Sequence, residues 1–401
     1  MPAPPFSGPM YRHPGVNPAP ASERAIVITG QDRDNDDHLQ ALPSWGHCRA
    51  AIPTRHAKRI QPENPVRSPM IHILLREDFR NTVQNFLRHS TRGFDCVRIL
   101  SYERLFARGR APVGHYIFTD FDRLDPAAIE VLARLSDDLR ARAPRVRILN
   151  DPRKVLERVP LLTRLRREGL NRFDVTRLDA GERPDAFPVF VRSEDGCGGP
   201  ETGLFRDLPE LEAALEAFHR AGRSLKRRIA VGFCAQRDSR GLYRKYGAMN
   251  IDGHIIPQHM HCSEHWDVKW ANNVHEAGTA QEEIEYIRTN PHKDALVRIF
   301  RIAGIDYGRI DYGLVDGVIQ TYEVNTNPRL PRYGLKGTDR TKQRRALIRP
   351  AMEEALRAID KPLPSGPDVP LRNPGHTSVN SDLHRHSALH RMLRRIYYAV
   401  R

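Results

Sequence analysis

Cysteine is scarce. Five are scattered over 401 residues (Cys48, Cys96, Cys197, Cys234, Cys262), with no C-x-x-C pair. That argues against a disulfide framework or a structural zinc knuckle and fits a reducing compartment. Long apolar runs are missing too. No stretch reaches the roughly 18 residues a membrane-spanning helix needs, and the N-terminus lacks the apolar core of a signal peptide. The expectation is a soluble, cytoplasmic protein without a transmembrane segment. Also absent are a G-x-G-x-x-G fingerprint in the first α/β stretch and a G-x-x-x-x-G-K-[ST] loop anywhere. A dinucleotide site of the first kind and a P-loop fold are set aside on that ground.

Positive charge is plentiful: 64 Lys and Arg against 49 Asp and Glu, a net +15. The arginines are spread along the whole chain rather than clustered with aromatics, so charge alone selects no partner and nucleic acid is not favoured. The length allows two or three domains with a real core.

Residues 1–68 read as a largely disordered, proline-rich extension. They hold one plausible strand, Ala25–Thr29, and Met70 is a candidate translation start. From 69 to 150 strands alternate with helices: MIHILL, a helix near Phe79–Arg88, CVRIL, GHYIFTD, a helix opened by Asp125-Pro126, and Arg145–Leu149. That pattern predicts a small α/β domain with a mostly parallel sheet. Residues 151–360 follow with a helix over 155–168, the strand FPVFVR, and SEDGCGG, whose glycines free the backbone to present N–H groups to an anion. Next come a helix over 207–222, the strand RIAVGFC, a hairpin turned at Asp252-Gly253, a helix over 292–303, and one over 341–360 with a kink at Pro350. Residues 361–401 read as a Pro/Gly-rich linker and a basic amphipathic C-terminal helix.

Chemistry concentrates in DYGLVDGVIQTYEVNTNP, Asp311 to Pro328. Two apolar runs flank Asp316-Gly317, the mark of a β-hairpin. Asp311, Glu323 and Asn325 offer two carboxylates and an amide, hard oxygen donors suited to Mg²⁺. A two-residue turn in a regular ladder would point Glu323 away from Asp311. A shared metal therefore predicts a three-residue loop with Leu314 opposite Val318, Asp311 opposite Thr321, and positive φ at Gly317.

D-(11 residues)-E-V-N-T-N-P resembles the metal-binding end of the ATP-grasp superfamily, in particular its glutathione-synthetase and ribosomal-protein glutamate-ligase branch. The resemblance spans about residues 70–345. It implies a pre-ATP-grasp α/β domain over 69–150, then an ATP-grasp domain pair, α/β and α+β in class, holding nucleotide between antiparallel sheets. It implies an ATP-dependent carboxylate–amine ligase forming an amide through an acylphosphate, with ATP and Mg²⁺ (Mn²⁺ as alternative) as cofactors. The acids and amines would be small molecules or peptides, and a homo-oligomer is left open. The metal would sit on Asp311, Glu323 and Asn325. The phosphates would be held by Arg158, Arg192 and the loop with Gly196, Gly198 and Gly199, and Lys154 is an alternative first contact. Arg158 and Arg192 stand where the family carries lysine, and Gly232 where it carries an acidic ribose contact. Arg244 matches a substrate-facing arginine. His259, His261, Cys262 and His265 do not form a complete zinc set at a recognisable spacing, and read as a loop lining the acceptor pocket or a polar rim. A small-molecule kinase and a catalytically degenerate nucleotide-sensing or nucleic-acid-associated protein are the alternatives.

Overall fold

Five residues in a row, IHILL, are buried, which makes β1 (Ile71–Leu75) an interior strand covered on both faces. The computed structural model describes residues 71–195, 198–334 and 337–379, all within one compact unit, Asn64–Arg401. The expected strand at 25–29, Gly196 and the C-terminal amphipathic helix lie outside the described residues.

β1 pairs in parallel with β2 (Val97–Ser101). After the short β3 (Arg110–Ala111), it also pairs with β4 (His115–Phe118), which pairs with β5 (Ile148–Leu149). The sheet runs β2-β1-β4-β5. Its crossovers contain α1 (Asn81–Arg88), α2 (Tyr102–Arg108) and α3 (Pro126–Arg142). The Asp125-Pro126 start behaves as its chemistry requires: the Asp125 carboxylate accepts the Ala128 amide at 2.6 Å.

A second layer begins with α4 (Arg158–Arg167) and β6 (Val175–Arg177), followed by β7 (Val189–Ser193), α5 (Leu208–Arg220) and β8 (Arg228–Gly232). The strands form an antiparallel sheet, β6-β8-β7. α5 closes a small core of Val189, Val191, Leu211, Leu215 and Phe218 against it. Then come β9 (Tyr243–Ile251), β10 (His254–Ser263), α6 (Ala277–Thr289), α7 (Lys293–Ala303), β11 (Tyr307–Val315), β12 (Val318–Asn325) and α8 (Asp339–Ile359). The third sheet, β10-β9-β11-β12, is antiparallel. A four-stranded parallel sheet and antiparallel sheets of three and four strands make the mixed α/β and α+β architecture.

Several local expectations change. Strand Arg145–Leu149 shrinks to Ile148–Leu149, α4 starts at Arg158, and α2 and α6 were not anticipated. β10 continues through Ser263, so His259, His261 and Cys262 belong to a strand rather than a loop. Pro350 sits inside a helix assigned without interruption. The stretch from 361 is not a free linker. Its β13 (Val369–Pro370) pairs with β3, and Val369, Leu371 and Val379 are buried in the core with α2 and α3. Proline and glycine mark irregular backbone there, but the three apolar side chains still find a surface to cover.

Candidate functional site

The hairpin of β11 and β12 turns on Asp316 and Gly317, with φ of 49° and 73°. Both values are positive, the geometry of a two-residue hairpin turn. Val315 pairs with Val318 and Leu314 with Ile319. The expected three-residue loop and its Leu314–Val318 register are therefore wrong, while the positive φ at Gly317 is present. The regular ladder runs to Tyr312 opposite Thr321 and then shifts, so that Asp311 lies directly opposite Glu323. Tyr322 is the extra residue of a bulge, and a one-residue slip is what exchanges the faces of a strand. The two carboxylates thus share a face by a different device from the one expected.

Cations surround them. Arg158 Nη2 and Arg192 Nη2 both reach Glu323 Oε2, at 2.7 and 3.0 Å. Asn325 Nδ2 donates to Glu323 Oε1 at 3.2 Å. Arg309 Nε donates to Asp311 Oδ1 at 2.9 Å, and Lys245 Nζ is 3.6 Å from Asp311 Oδ2. Burial would raise the Glu323 pKa, but Arg192 and Arg158 outweigh it and hold the carboxyl down at about 2. Burial and the neighbouring Arg192 lower the pKa of Arg158. Arg158 also donates to the carbonyls of Ser193 and Glu194, which fixes the exit of β7 into the glycine loop.

Arg309 and Asn325 reach the carboxylates from a neighbouring cavity, while Arg158, Arg192, Lys245, Asp311 and Glu323 line one end of a cavity of about 320 Å³ between the two antiparallel sheets. Its other end is apolar, lined by Leu162, Phe173, Phe190, Val231, Phe233 and Tyr322. Trp266 packs there on Phe190 and Phe233, with centroids 5.1 and 5.9 Å apart. Gly198 and Gly199 line the cavity too, and Lys269 lies against Gly199, where a Cβ would meet its Nζ at 3.3 Å. One end suits a planar apolar group and the other a polyanion. Around Asp311 and Glu323 themselves, Arg158, Arg192, Lys245 and Arg309 set four cations against two carboxylates, a surplus of two positive charges. That complements the charge of about −2 on a magnesium–nucleoside triphosphate, and the oxygen donors suit the ion. The residues present fit both.

No protein-family model and no curated protein matches the chain. Solved structures do. The chain resembles ATP-grasp ligases. The D-alanine–D-alanine ligase from Bacillus anthracis is 14% identical, with a TM-score of 0.43, over 73% of this chain and 99% of that one. The ATP-grasp ligase PsnB complexed with minimal precursor is 14% identical, with a TM-score of 0.43, over 73% and 100%. A RimK domain ATP-grasp protein from Sphaerobacter thermophilus is 15% identical, with a TM-score of 0.39, over 71% and 98%.

Of the residues singled out in the sequence, Asp311, Glu323, Arg158, Arg192, Gly198 and Gly199 line this cavity, and Asn325 touches Glu323. Arg244 also lines it, but its guanidinium is engaged by Glu282 at 2.5 Å and Asp238 at 2.6 Å. Burial lowers its pKa, and these carboxylates more than offset that, raising it overall. Its neighbour Lys245 is the one that approaches Asp311. Lys154 lines neither this cavity nor the one beyond Arg158, and its carbonyl lies beside Gly304. Gly232 is packed close, since a Cβ there would meet the Phe173 Cβ at 3.2 Å. Sequence reasoning missed Lys245, Lys269, Trp266 and Arg309. Alternation along β9 could have flagged Lys245, two residues from the Gly247 that pairs with Asp311. Asn327, the second asparagine of the motif, is tied elsewhere. It accepts from Thr82 Oγ1 at 2.8 Å and donates to Asp120 at 2.9 Å, linking the motif to the parallel-sheet layer.

Proposed function

We propose that this protein is an ATP- and Mg²⁺-dependent carboxylate–amine ligase. The observation that carries the reading is the direct pairing of Asp311 and Glu323, held by four cations, at one end of a cavity whose other end is apolar. The apolar end takes the base. Arg158, Arg192 and the backbone of Gly198 and Gly199 hold the phosphates, with Lys269 beside Gly199. Asp311, Glu323 and Asn325 would hold Mg²⁺, which neutralises charge on the transferring phosphoryl group when bound. Arg158 and Arg192 exchange their contact with Glu323 for phosphate oxygens, and two-pronged guanidinium geometry suits that exchange. Lys245 and Arg309 stabilise negative charge developing beside Asp311. A carboxylate takes the terminal phosphoryl group of ATP, and an amine then displaces phosphate to leave the amide.

Mg–ATP should raise the melting temperature, because it binds the folded state selectively. Glu323→Gln should weaken Mg–ATP binding by at least about tenfold. An equal thermal shift in this variant removes the site from Glu323. The reaction is read by ADP release over amino acids and short peptides, with mass spectrometry of the products. An amide product supports ligation. A phosphorylated product without amide identifies a kinase, and Mg–ATP binding without turnover over the panel leaves a nucleotide sensor.

A further inference from the structure

Beyond the nucleotide cavity, a second cavity of about 450 Å³ opens at the start of α8, lined by His261, Trp270, Glu276, Glu283, Arg340 and Arg344 among others. We propose that it is a second ligand site, taking a carboxylate-bearing molecule with an apolar or aromatic flank. The first support is unfinished hydrogen bonding. His261 is 9% exposed, and its Nδ1 has no partner among the described residues; Arg340 Nη1 is likewise buried and without one. Buried polar atoms of this kind are seldom left unpaired, and a ligand oxygen at Arg340 would satisfy one of the two.

The second is charge. Arg340 Nε and Arg344 Nη1 share the fully buried Glu283, at 2.6 and 3.1 Å, leaving that trio one positive charge in surplus. Burial, then Lys245, Arg344, Arg309 and Arg340, push the His261 pKa down to about 3, so the imidazole faces the cavity uncharged. Thr338 caps α8 by accepting the Thr341 amide, which turns the positive end of the helix to the same cavity. Exposed Glu276 stands at the rim. Counting Glu276, the arginines and glutamates of the lining balance, so the positive charge is local to Arg340 and Arg344, which fits a monoanionic carboxylate better than a phosphate dianion. The third is shape: Trp270, 72% exposed, presents a flat apolar face on which an apolar or aromatic group can stack.

The site shares a sheet with the carboxylate pair. His261 pairs with Lys245 on the next strand, and Lys245 approaches Asp311 on the one after. Two strand spacings separate His261 from Asp311, roughly 10 Å across the sheet. A ligand held at Arg340 that reacts at Asp311 is therefore extended, longer than a free α-amino acid. The assignment of this ligand as a substrate rests on the ligase reading; its binding does not.

The test is titration of the whole protein, without nucleotide, by calorimetry and tryptophan fluorescence. The probes are N-acetyl-phenylalanine, its carboxamide, Gly-Gly-Phe and inorganic phosphate. Both carboxylates should bind saturably, and the carboxamide at least about tenfold more weakly. Tighter binding of Gly-Gly-Phe assigns the site to peptide C-termini, and equal binding to carboxylates generally. Arg340→Gln should weaken binding about tenfold. Trp270→Ala, a surface change that spares the core, should weaken it several-fold, and both variants should keep the Mg–ATP thermal shift. The proposal is overturned by equal binding of the carboxamide, by tighter binding of phosphate, by no saturable binding of either carboxylate, or by unchanged binding in both variants. Carboxylate binding in a protein that ignores Mg–ATP would keep the site and remove the ligase reading.

Discussion

Glu323 shows how much one side chain depends on its neighbours. In isolation it is an acid on a strand; here two guanidiniums meet on one of its oxygens. Burial raises its pKa and the arginines overcome that, to about 2 against an ordinary 4.5. The folded carboxyl therefore binds fewer protons than the unfolded one between those values. Its contribution to stability is complete above about pH 4.5 and is lost as the pH falls toward 2. Denaturant unfolding at a series of pH values should show that slope in the natural protein and a shallower one in Glu323→Gln. Equal slopes would mean that the arginines do not act on this carboxyl.

At the scale of elements, the third sheet works because close approaches are left open for large side chains. Gly247 on β9 lies between Asp311 on β11 and His259 on β10. A Cβ at Gly247 would fall 2.4 Å from the His259 ring, which stacks in turn on His261 at 4.4 Å. Gly247→Ala must displace a ring hemmed in by strand neighbours, an overpacking cost of about 1–3 kcal/mol. A drop in melting temperature is expected, and a variant that melts with the natural protein would show that the ring moves freely. The bulge at Tyr322 belongs to the same scale. The extra residue sends its hydroxyl to the Cys234 carbonyl at 3.1 Å and turns Glu323 toward Asp311.

The whole molecule is held by cores that ignore sequence order. Ile71 and Ile73 of the parallel sheet share one cluster with Met352 and Leu356 of α8. Val369, Leu371 and Val379 close another over α2 and α3. A chain ending at residue 360 would expose the surface these three cover, each worth about 1.5–3 kcal/mol when fully buried. It should melt well below the full chain. If the two melt together, residues 361–379 are the linker that their proline and glycine content suggested.

What the amino-acid order decided by itself is short-range. Asp316-Gly317 makes the turn because both positions take positive φ, Asp125-Pro126 starts α3, and the spacing of Asp311, Glu323 and Asn325 marked them as candidate donors before any fold was known. Each depends on atoms a few residues apart, so it is legible locally. Only the tertiary structure decided the register shift, because a bulge is a relation between two strands and leaves no periodicity in either. The same holds for Lys245 rather than Arg244 beside Asp311. Alternation separates the two, but which of them faces the carboxylates depends on how β9 lies against β11. The glycine loop and Lys269 meet across 70 residues, and Arg158 and Glu323 across 165. Contacts at such separations follow from how the layers pack, which the order of residues along any one segment does not record.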